Sequence, residues 1–342
     1  GIAIDASGHV QIDGQQLPTA GALSNRNLII NGAMQVAQRG TQVTGLTGNG
    51  YQTCDRVLVV LGGLGTWTVD QDTNAPNEFS NSFKMTCTTA DASPAAGDNL
   101  IIVHHIEAQN LQSLGFGTAD AKATTLSFWV RSNKTGNASV DIRQPDNSNR
   151  HVSFQYSISS ANTWEYKTIS IPADTSGVIN NDNGSGLRLD WWLNSGSTYS
   201  SGSHQATWTA NVDADRNPSN LGVGGATSDY WQITGVQLEV GAKSTEFEHR
   251  SFNDELQRCL RYYEENPTTQ SLFRVYPGGS SVSVAYSYIW NVEKRVAPTV
   301  TIGSKSPSGF AETIDKYGAY YFRSGSVTGY SVVGPITADA EL

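Results

Sequence analysis

Apolar and polar residues alternate in short runs along residues 27–248, and glycine and asparagine turns separate the runs. Successive side chains of a β-strand point to opposite faces, so this period of two predicts half-buried strands. The clearest predicted strands are Leu58 to Leu61, Phe83 to Cys87, Thr124 to Arg131, Ala138 to Arg143, Val152 to Ile158, Glu165 to Ile171, Leu187 to Asn194, Gln205 to Val212 and Tyr230 to Val240. Only the stretch from His104 to Leu114 shows a weak helical period. So many strands in one domain predict an all-β, two-sheet sandwich.

The pattern changes beyond Val240, where residues 251–266 are predicted to form a linking helix. Ser251 suits the N-cap position, acidic residues follow in the first turn, and Asn266-Pro267 predicts the end of the helix. Four further strands are predicted at Ser281 to Val292, Thr299 to Ile302, Tyr317 to Arg323 and Tyr330 to Val333. They indicate a small, separate antiparallel β domain over residues 267–342.

The first 26 residues form a third kind of segment. Two short strands, Ile2 to Ile4 and Val10 to Ile12, flank the turn Asp5 to Gly8. A hairpin of this size is not stable alone in water, so it is expected to need partner chains, as in a fibre stalk. The alternative is a leader strand ordered by the domain that follows it. The predicted organisation is a stalk at 1–26, a sandwich at 27–250, a linking helix at 251–266 and a C-terminal β domain at 267–342.

Composition narrows the class of partner. Charged residues make up 15% of the chain and the formal net charge is -9, without a cluster of Lys and Arg. Binding to nucleic acid or to an anionic membrane surface requires such a cluster, so neither partner is expected. No apolar run is long enough to span a bilayer, which argues against membrane insertion. The three cysteines, Cys54, Cys87 and Cys259, have long and irregular spacings, which predict buried free thiols.

Several stretches resemble a family of bacteriophage tail proteins. They are "ITGVQLEVG", "EHRS" and "ELQRCLRYYE" between Ile233 and Glu264, "NRNLIINGAMQVAQRGT" from Asn25, "TLSFWVRSNKTGNASV" from Thr125, "TWEYKTISIPADTSG" from Thr163, and the final "TADAEL". The resemblance implies a jelly-roll sandwich like those of carbohydrate-binding modules, in a virion tail fibre or tail tip. It also implies a homotrimer that assembles in the host cytoplasm with other tail proteins. It implies no particular ligand.

The outward faces of three predicted strands carry the candidate binding residues. On each strand, apolar residues such as Leu126 and Leu189 alternate with polar and aromatic ones. If the three strands share a sheet, their outer faces form one surface with Trp129, Arg131, Asp141, Arg143, Arg188, Asp190 and Trp192. Tryptophan beside charged groups suits a sugar ring and its hydroxyls, so this surface is the candidate glycan site. A subunit interface or an ordinary solvated sheet face would have the same composition.

Catalytic and metal sites are not predicted. Asp190 and Asp141 could form the carboxylate pair of a glycoside hydrolase, but no internal repeat, nucleophile elbow or phosphate-binding loop accompanies them. His104, His105 and Glu107 alternate in direction, which does not suit a metal site. The loops Asn180 to Gly186 and Asp213 to Asn220 are rich in oxygen ligands, and the jelly-roll resemblance allows a structural calcium there.

The predicted function is therefore that of a non-enzymatic virion structural protein of a tailed phage, which binds a host surface polysaccharide during adsorption. Two alternatives stay open at this point. One is a purely structural tail component without host contact, and the other is a polysaccharide-degrading fibre.

Overall fold

A computed structural model of the chain describes residues 2–4, 10–12, 15–16, 25–266, 271–275, 282–306, 310–325 and 330–342. The chain forms two compact units, Gly1–Arg250 and Ser251–Leu342. The first unit begins with the short strands β1 (Ile2–Ile4), β2 (Val10–Ile12) and β3 (Gln15–Gln16). β1 pairs antiparallel with β2, and β2 with β3. This is the predicted hairpin, and its turn lies outside the described residues.

The sandwich follows in the same unit. Its strands are β4 (Gln42–Leu46), β5 (Gly50–Tyr51), β6 (Leu58–Gly62), β7 (Thr66–Asp72), β8 (Ser82–Thr89), β9 (Asn99–Glu107), β10 (Thr124–Ser132), β11 (Gly136–Gln144), β12 (Arg150–Ile158), β13 (Glu165–Ile171), β14 (Ser185–Ser195) and β15 (Tyr230–Val240). Sheet I has the order β13-β10-β15-β8-β7-β4, and sheet II has the order β12-β11-β14-β9-β6-β5. All pairs are antiparallel, and the chain passes repeatedly from one sheet to the other. The unit is therefore an all-β jelly-roll sandwich, as predicted.

Side-chain alternation places the core between the two sheets. Leu126, Phe128 and Val130 of β10 are fully buried, and so is Leu189 of β14. The rings of Phe128 and Trp191 meet edge to face across the core, with centroids 5.9 Å apart. The predicted inward faces of β10 and β14 are confirmed, because every second residue of a strand points to the same side.

Two local predictions in this unit are wrong. The stretch from Gln205 to Val212 is not a strand, since its backbone bonds to β12 only through Gln205 and Thr209, too few for a ladder. It belongs to residues 196–229, a long connection from β14 to β15 that contains a short α-helix, α1 (Ser197–Ser200), and a 3-10 helix, Asp213–Asp215. The weak helical period near His104 divides into β9 and a 3-10 helix, Ala108–Leu114.

The second unit contains one helix and two small sheets. It comprises α2 (Phe252–Leu260), β16 (Tyr263–Asn266), β17 (Ser271–Val275), β18 (Val282–Ile289), β19 (Thr299–Ser306), β20 (Ala311–Ile314), β21 (Gly318–Gly325) and β22 (Tyr330–Asp339). β22 pairs with β16, β17 and β19, whereas β21 lies between β18 and β20. The sequence predicts one small sheet in this unit, whereas the structure has two. Six buried residues form the described core: Trp290, Phe310, Ala319, Tyr321, Ile336 and Ala338.

The predicted helix starts where expected but ends earlier. Ser251 caps α2, because its Oγ accepts a hydrogen bond from the Asp254 amide at 3.2 Å. The helix was predicted to continue to Asn266, yet it ends at Leu260. Residues from Tyr263 onward pair with β22 instead, and this ladder satisfies the backbone groups that a longer helix would have bonded internally.

Cys54, Cys87 and Cys259 are all buried and are not joined in disulfides, as predicted. Burial raises the pKa of the Cys54 thiol far above its usual value and keeps it protonated. Among the helices of the described residues, none has the length and apolar character needed to cross a bilayer.

Candidate functional site

The seven residues of the predicted glycan surface lie on two different sheets. Trp129 and Arg131 belong to β10 in sheet I, whereas the other five residues belong to β11 and β14 in sheet II. The assumption that the three strands share a sheet is therefore wrong. After β10 the chain crosses to the opposite sheet, so β10 and β11 face each other across the core. A period of two is the same for strands that pair and for strands that stack, so the alternation could not distinguish these arrangements.

The part of the outer face of sheet II around Asp141, Asp190 and Trp192 is covered by residues 196–229. Trp192, Asp141 and Asp190 have no exposed surface. The guanidinium of Arg216 lies 4.7 Å from the centre of the Trp192 ring, and the Tyr199 ring lies 5.1 Å from it. The prediction that Trp192 stacks on a sugar is therefore not supported by its position, because the covering connection already occupies the face of the indole.

Asp190 is the centre of a buried network of charges. Its carboxylate contacts Arg188 at 2.5 Å, Arg143 at 3.0 Å and Arg216 at 3.1 Å. Burial disfavours the charged form of Asp190, but the charges of Arg188 and the other two arginines outweigh it and hold its pKa well below the usual range. Asp190 is therefore a carboxylate throughout the neutral range and accepts hydrogen bonds.

Asp141 stands beside Asp190 in the ladder between β11 and β14. Its two oxygens contact Arg216 Nε at 3.2 Å and His151 Nδ1 at 2.7 Å. A glycosidase needs one carboxyl that can donate a proton and access for the substrate. The buried pair does not meet the second condition, because both residues are covered, and Asp190 is held ionised. Asp141, Asp190 and Trp192 instead join sheet II to residues 196–229 through Arg216, while Arg143 and Arg188 balance the charge of Asp190 within the sheet.

The outer face of sheet I presents the other two predicted residues, Trp129 and Arg131, beside a second aromatic side chain. Trp129 of β10 pairs in register with Tyr166 of β13, the edge strand. Their ring centroids are 5.3 Å apart and the ring planes are inclined by 49°. Trp129 is half-buried, and Tyr166 is 42% exposed. The two rings form an accessible aromatic pair at the edge of the sandwich.

Hydroxyl side chains continue this face along the same two strands. Thr168 and Ser170 of β13 are exposed, and Ser170 pairs in register with Thr125 of β10. At a rise of about 3.3 Å per residue, Ser170 lies about 13 Å along β13 from Tyr166. Trp129, Tyr166, Thr125, Thr168 and Ser170 together are termed the β10–β13 surface. Aromatic rings beside hydroxyls suit contact with a sugar.

Residues 242–249 form a ridge along one side of the β10–β13 surface, above β15. Glu239 of β15 accepts hydrogen bonds from the amide and hydroxyl of Thr245, both at 2.8 Å. Gln237 accepts a bond from the Glu248 amide at 2.8 Å. Between the ridge and β13 lies a depression of about 350 Å³, lined by Thr125, Thr168, Ser170, Ala242, Lys243 and Ser244. Residues 242–244 of the ridge therefore form one side of a pocket at the edge of the β10–β13 surface.

Arg131 lies at the other end of the β10–β13 surface and is held in place. Its Nε donates to the Asn162 carbonyl at 2.9 Å, and its Nη1 donates to Gln232 Oε1 at 2.8 Å. The guanidinium also lies over the Tyr230 ring at 5.3 Å. These contacts fix the position of Arg131. Trp129 is two residues earlier on β10 and therefore lies on the same face of the strand.

Gly235 of β15 allows the aromatic side chains to approach the sheet. It has a φ of +61°, and a Cβ there would lie 2.7 Å from the Phe79 ring and 3.0 Å from Trp129 Cδ1. We expect Gly235→Ala to destabilise the protein by about 1–3 kcal/mol from backbone strain and to displace Trp129. Gly45→Ala is the matched control, because Gly45 has a φ of +72° and open space around it. Chemical denaturation should show a larger loss for Gly235→Ala, and equal losses would contradict the crowding of Trp129.

Tyr166 is a candidate binding residue that the sequence alone does not single out. The stretch Trp164 to Ser170 alternates Trp, Tyr, Thr and Ser at its outward positions, a signal as clear as that of β10. This alternation alone could not place Tyr166 beside Trp129, because that requires the pairing of β13 with β10. The pairing joins residues more than thirty positions apart in the sequence.

The acidic loop Asp213 to Asn220 does not offer a ready set of calcium ligands. Asp215 accepts hydrogen bonds from the Ser203 amide and from Gln205 Nε2, both at 2.8 Å. Asp213 faces Arg216 at 3.5 Å. These carboxylates bond to other groups within residues 196–229, so the calcium prediction does not fit the loop Asp213 to Asn220. Among the residues that the structure describes, no three His, Cys, Asp or Glu side chains are grouped as metal ligands.

Comparison with known proteins gives similarity only among solved structures. No family model and no curated protein matches the chain. The chain is similar to the enzymatically active domain of tailspike protein 4 of bacteriophage CBA120, with 14% identity and a TM-score of 0.31, over 63% of this chain and 21% of that one. The chain thus spans about a fifth of the tailspike domain.

Two carbohydrate-binding modules are also similar. One is a family 61 module in complex with β-1,4-galactotriose, with 9% identity and a TM-score of 0.31, over 64% of this chain and all of the module. The other is the C-terminal family 22 module of a Clostridium thermocellum xylanase, with 9% identity and a TM-score of 0.32, over 65% of this chain and all of the module. The jelly-roll assignment rests on the strand order of the chain itself.

Proposed function

We propose that this protein binds a host-surface polysaccharide and that the β10–β13 surface makes the contact. The observation that carries the proposal is the pair of Trp129 and Tyr166, two accessible rings at 5.3 Å in register on neighbouring strands. A sugar ring packs its C–H face on an aromatic ring while its hydroxyls bond to nearby polar groups. Thr168 and Ser170 supply such groups on the same strand.

We place the protein in the tail of a phage particle, as a fibre or tail-tip component. Support comes from the tail-protein stretches in the sequence, which run from Asn25 to the last residues. In this proposal the chain is a non-catalytic adhesin and assembles as a homotrimer beside other tail proteins. Three copies of a weak site on one fibre can bind firmly, because the second and third contacts form at high effective concentration.

The proposal is tested by replacing Tyr166 with alanine. We expect binding to host polysaccharide to weaken at least about tenfold, because exposed aromatic residues at the centre of a contact carry much of its energy. Trp129→Ala should act in the same direction. The measurement is glycan-array binding followed by titration of the best ligand.

Tyr317→Ala is the matched control, since Tyr317 is a 56% exposed tyrosine in the second unit. It should leave both binding and stability unchanged. Equal binding by wild type, Tyr166→Ala and Trp129→Ala would exclude the β10–β13 surface as the glycan site. Absence of binding to any host polysaccharide would favour the purely structural role.

A further inference from the structure

We propose that the glycan site binds an oligosaccharide segment that lies along β10 and β13, and not a single sugar unit. This inference rests on the proposed function and specifies its ligand. Two subsites carry it, the aromatic pair at one end and the depression of about 350 Å³ at the other. Ser170 in the depression lies about 13 Å along β13 from Tyr166, so a single sugar ring is too short to fill both subsites.

The depression presents hydroxyl groups that can bond to a ligand. Thr125 Oγ1 donates to the Gly241 carbonyl at 2.8 Å and is therefore used within the protein. Within the described part of the chain, the hydroxyls of Thr168, Ser170 and Ser244 have no hydrogen-bond partner. A hydroxyl both donates and accepts hydrogen bonds, as the hydroxyls of a neutral sugar do. These three groups therefore suit a second sugar unit.

Thr168 links the two subsites along β13. It lies midway between Tyr166 and Ser170, and alternation places all three on the outer face of sheet I. All three are exposed. β13 is the edge strand of sheet I, so this row of side chains is open to solvent at the side. A polysaccharide chain can therefore approach from the edge and contact the whole row.

Aromatic rings close the opposite side of the site, above β15. The Phe79 ring meets the Phe247 ring edge to face, with centroids 5.0 Å apart, and lies 5.3 Å from the His249 ring. A Cβ at Gly235 would touch both Phe79 and Trp129, so Phe79 stands directly beside the floor of the site. A chain that follows the open side of this wall runs along β10 and β13, from the aromatic pair to the depression.

The test measures affinity against the length of the sugar chain. Soluble oligosaccharides, from monosaccharide to hexasaccharide, are prepared from the polysaccharide that binds best and are titrated into the full chain by calorimetry. Affinity for wild type should rise at least about tenfold from the monosaccharide to the tetrasaccharide, because two added hydrogen bonds can supply a change of this size. It should level off once both subsites are filled.

Ser170→Leu tests the second subsite, because leucine fills the depression and removes a hydroxyl. The gain in affinity with chain length should vanish, while affinity for the shortest ligand that binds should stay the same. Ser157→Leu is the matched control, since Ser157 is an exposed serine on β12, the edge strand of sheet II. It should keep the full dependence on length. Tyr166→Ala, in contrast, should weaken the binding of every length.

The outcomes separate this inference from the proposed function. Equal affinity of wild type for all lengths, with loss of binding in Tyr166→Ala, would overturn the second subsite and leave the glycan site intact. A dependence on length that survives in Ser170→Leu would also overturn it. If wild type binds neither polysaccharide nor oligosaccharide, the inference and the proposed function both fail.

Discussion

Replacing Trp192 by alanine is expected to lower the free energy of unfolding by about 3–5 kcal/mol, the range for truncating a buried tryptophan. The indole has no exposed surface and lies between sheet II and the connection of residues 196–229. Its removal leaves a cavity and also removes the ring beneath Arg216, whose guanidinium lies at 4.7 Å. Urea or guanidinium denaturation, with an unchanged slope against denaturant, measures the loss.

Two further variants distinguish the loss of packing at Trp192 from a loss of glycan binding. Trp192→Phe should cost less, because it keeps an aromatic ring under Arg216 and removes an indole N–H without an acceptor among the described residues. Trp129→Ala should lose binding with a smaller loss of stability, since Trp129 is only half-buried. If Trp192→Ala instead retained full stability and lost glycan binding, the outer face of sheet II would be the binding site after all.

Asp190→Asn is expected to destabilise the protein by about 3–5 kcal/mol at neutral pH, as when one partner of a buried ion pair is removed. The substitution keeps the size of the side chain but leaves Arg143, Arg188 and Arg216 without their shared counter-charge. Asp213→Asn is the matched control. Asp213 also faces Arg216, but it is 54% exposed, so its loss should change stability by less than about 1 kcal/mol.

The pH dependence of the Asp190 effect follows from its lowered pKa. A carboxyl in the unfolded chain has a pKa of about 3.9, and the folded-state pKa of Asp190 lies below that value. Its contribution is therefore complete above about pH 4 and is lost as the pH falls toward the folded-state pKa. We expect the stability difference between wild type and Asp190→Asn to be constant from pH 5 to 8 and to shrink below pH 4. A difference that grew on acidification would contradict the role of the three arginines.

Most of the individual strands could be predicted from the sequence. The inward residues of β10 and β14, such as Phe128 and Leu189, followed from alternation alone, because one face of each strand must be apolar to form a core. The cap at Ser251 followed in the same way, since it depends on residues three positions apart. The end of α2 did not, because its continuation pairs with β22 about seventy residues later.

The candidate site also has features that follow from local alternation and features that depend on distant strand pairing. Alternation placed Trp129, Arg131, Asp190 and Trp192 on strand faces that point away from the space between the two sheets. Trp129 and Arg131 are half-buried there, whereas Asp190 and Trp192 are fully buried, and Trp192 packs in a second apolar cluster with Ile101 and Val103. Their environments required the tertiary structure, because a strand has the same period whether its neighbour pairs beside it or faces it across the core. Only the folded chain shows that residues 196–229 cover Trp192 and that β13 brings Tyr166 to Trp129. Local periodicity determined which side of each strand is polar, and long-range strand order decided which polar side is open.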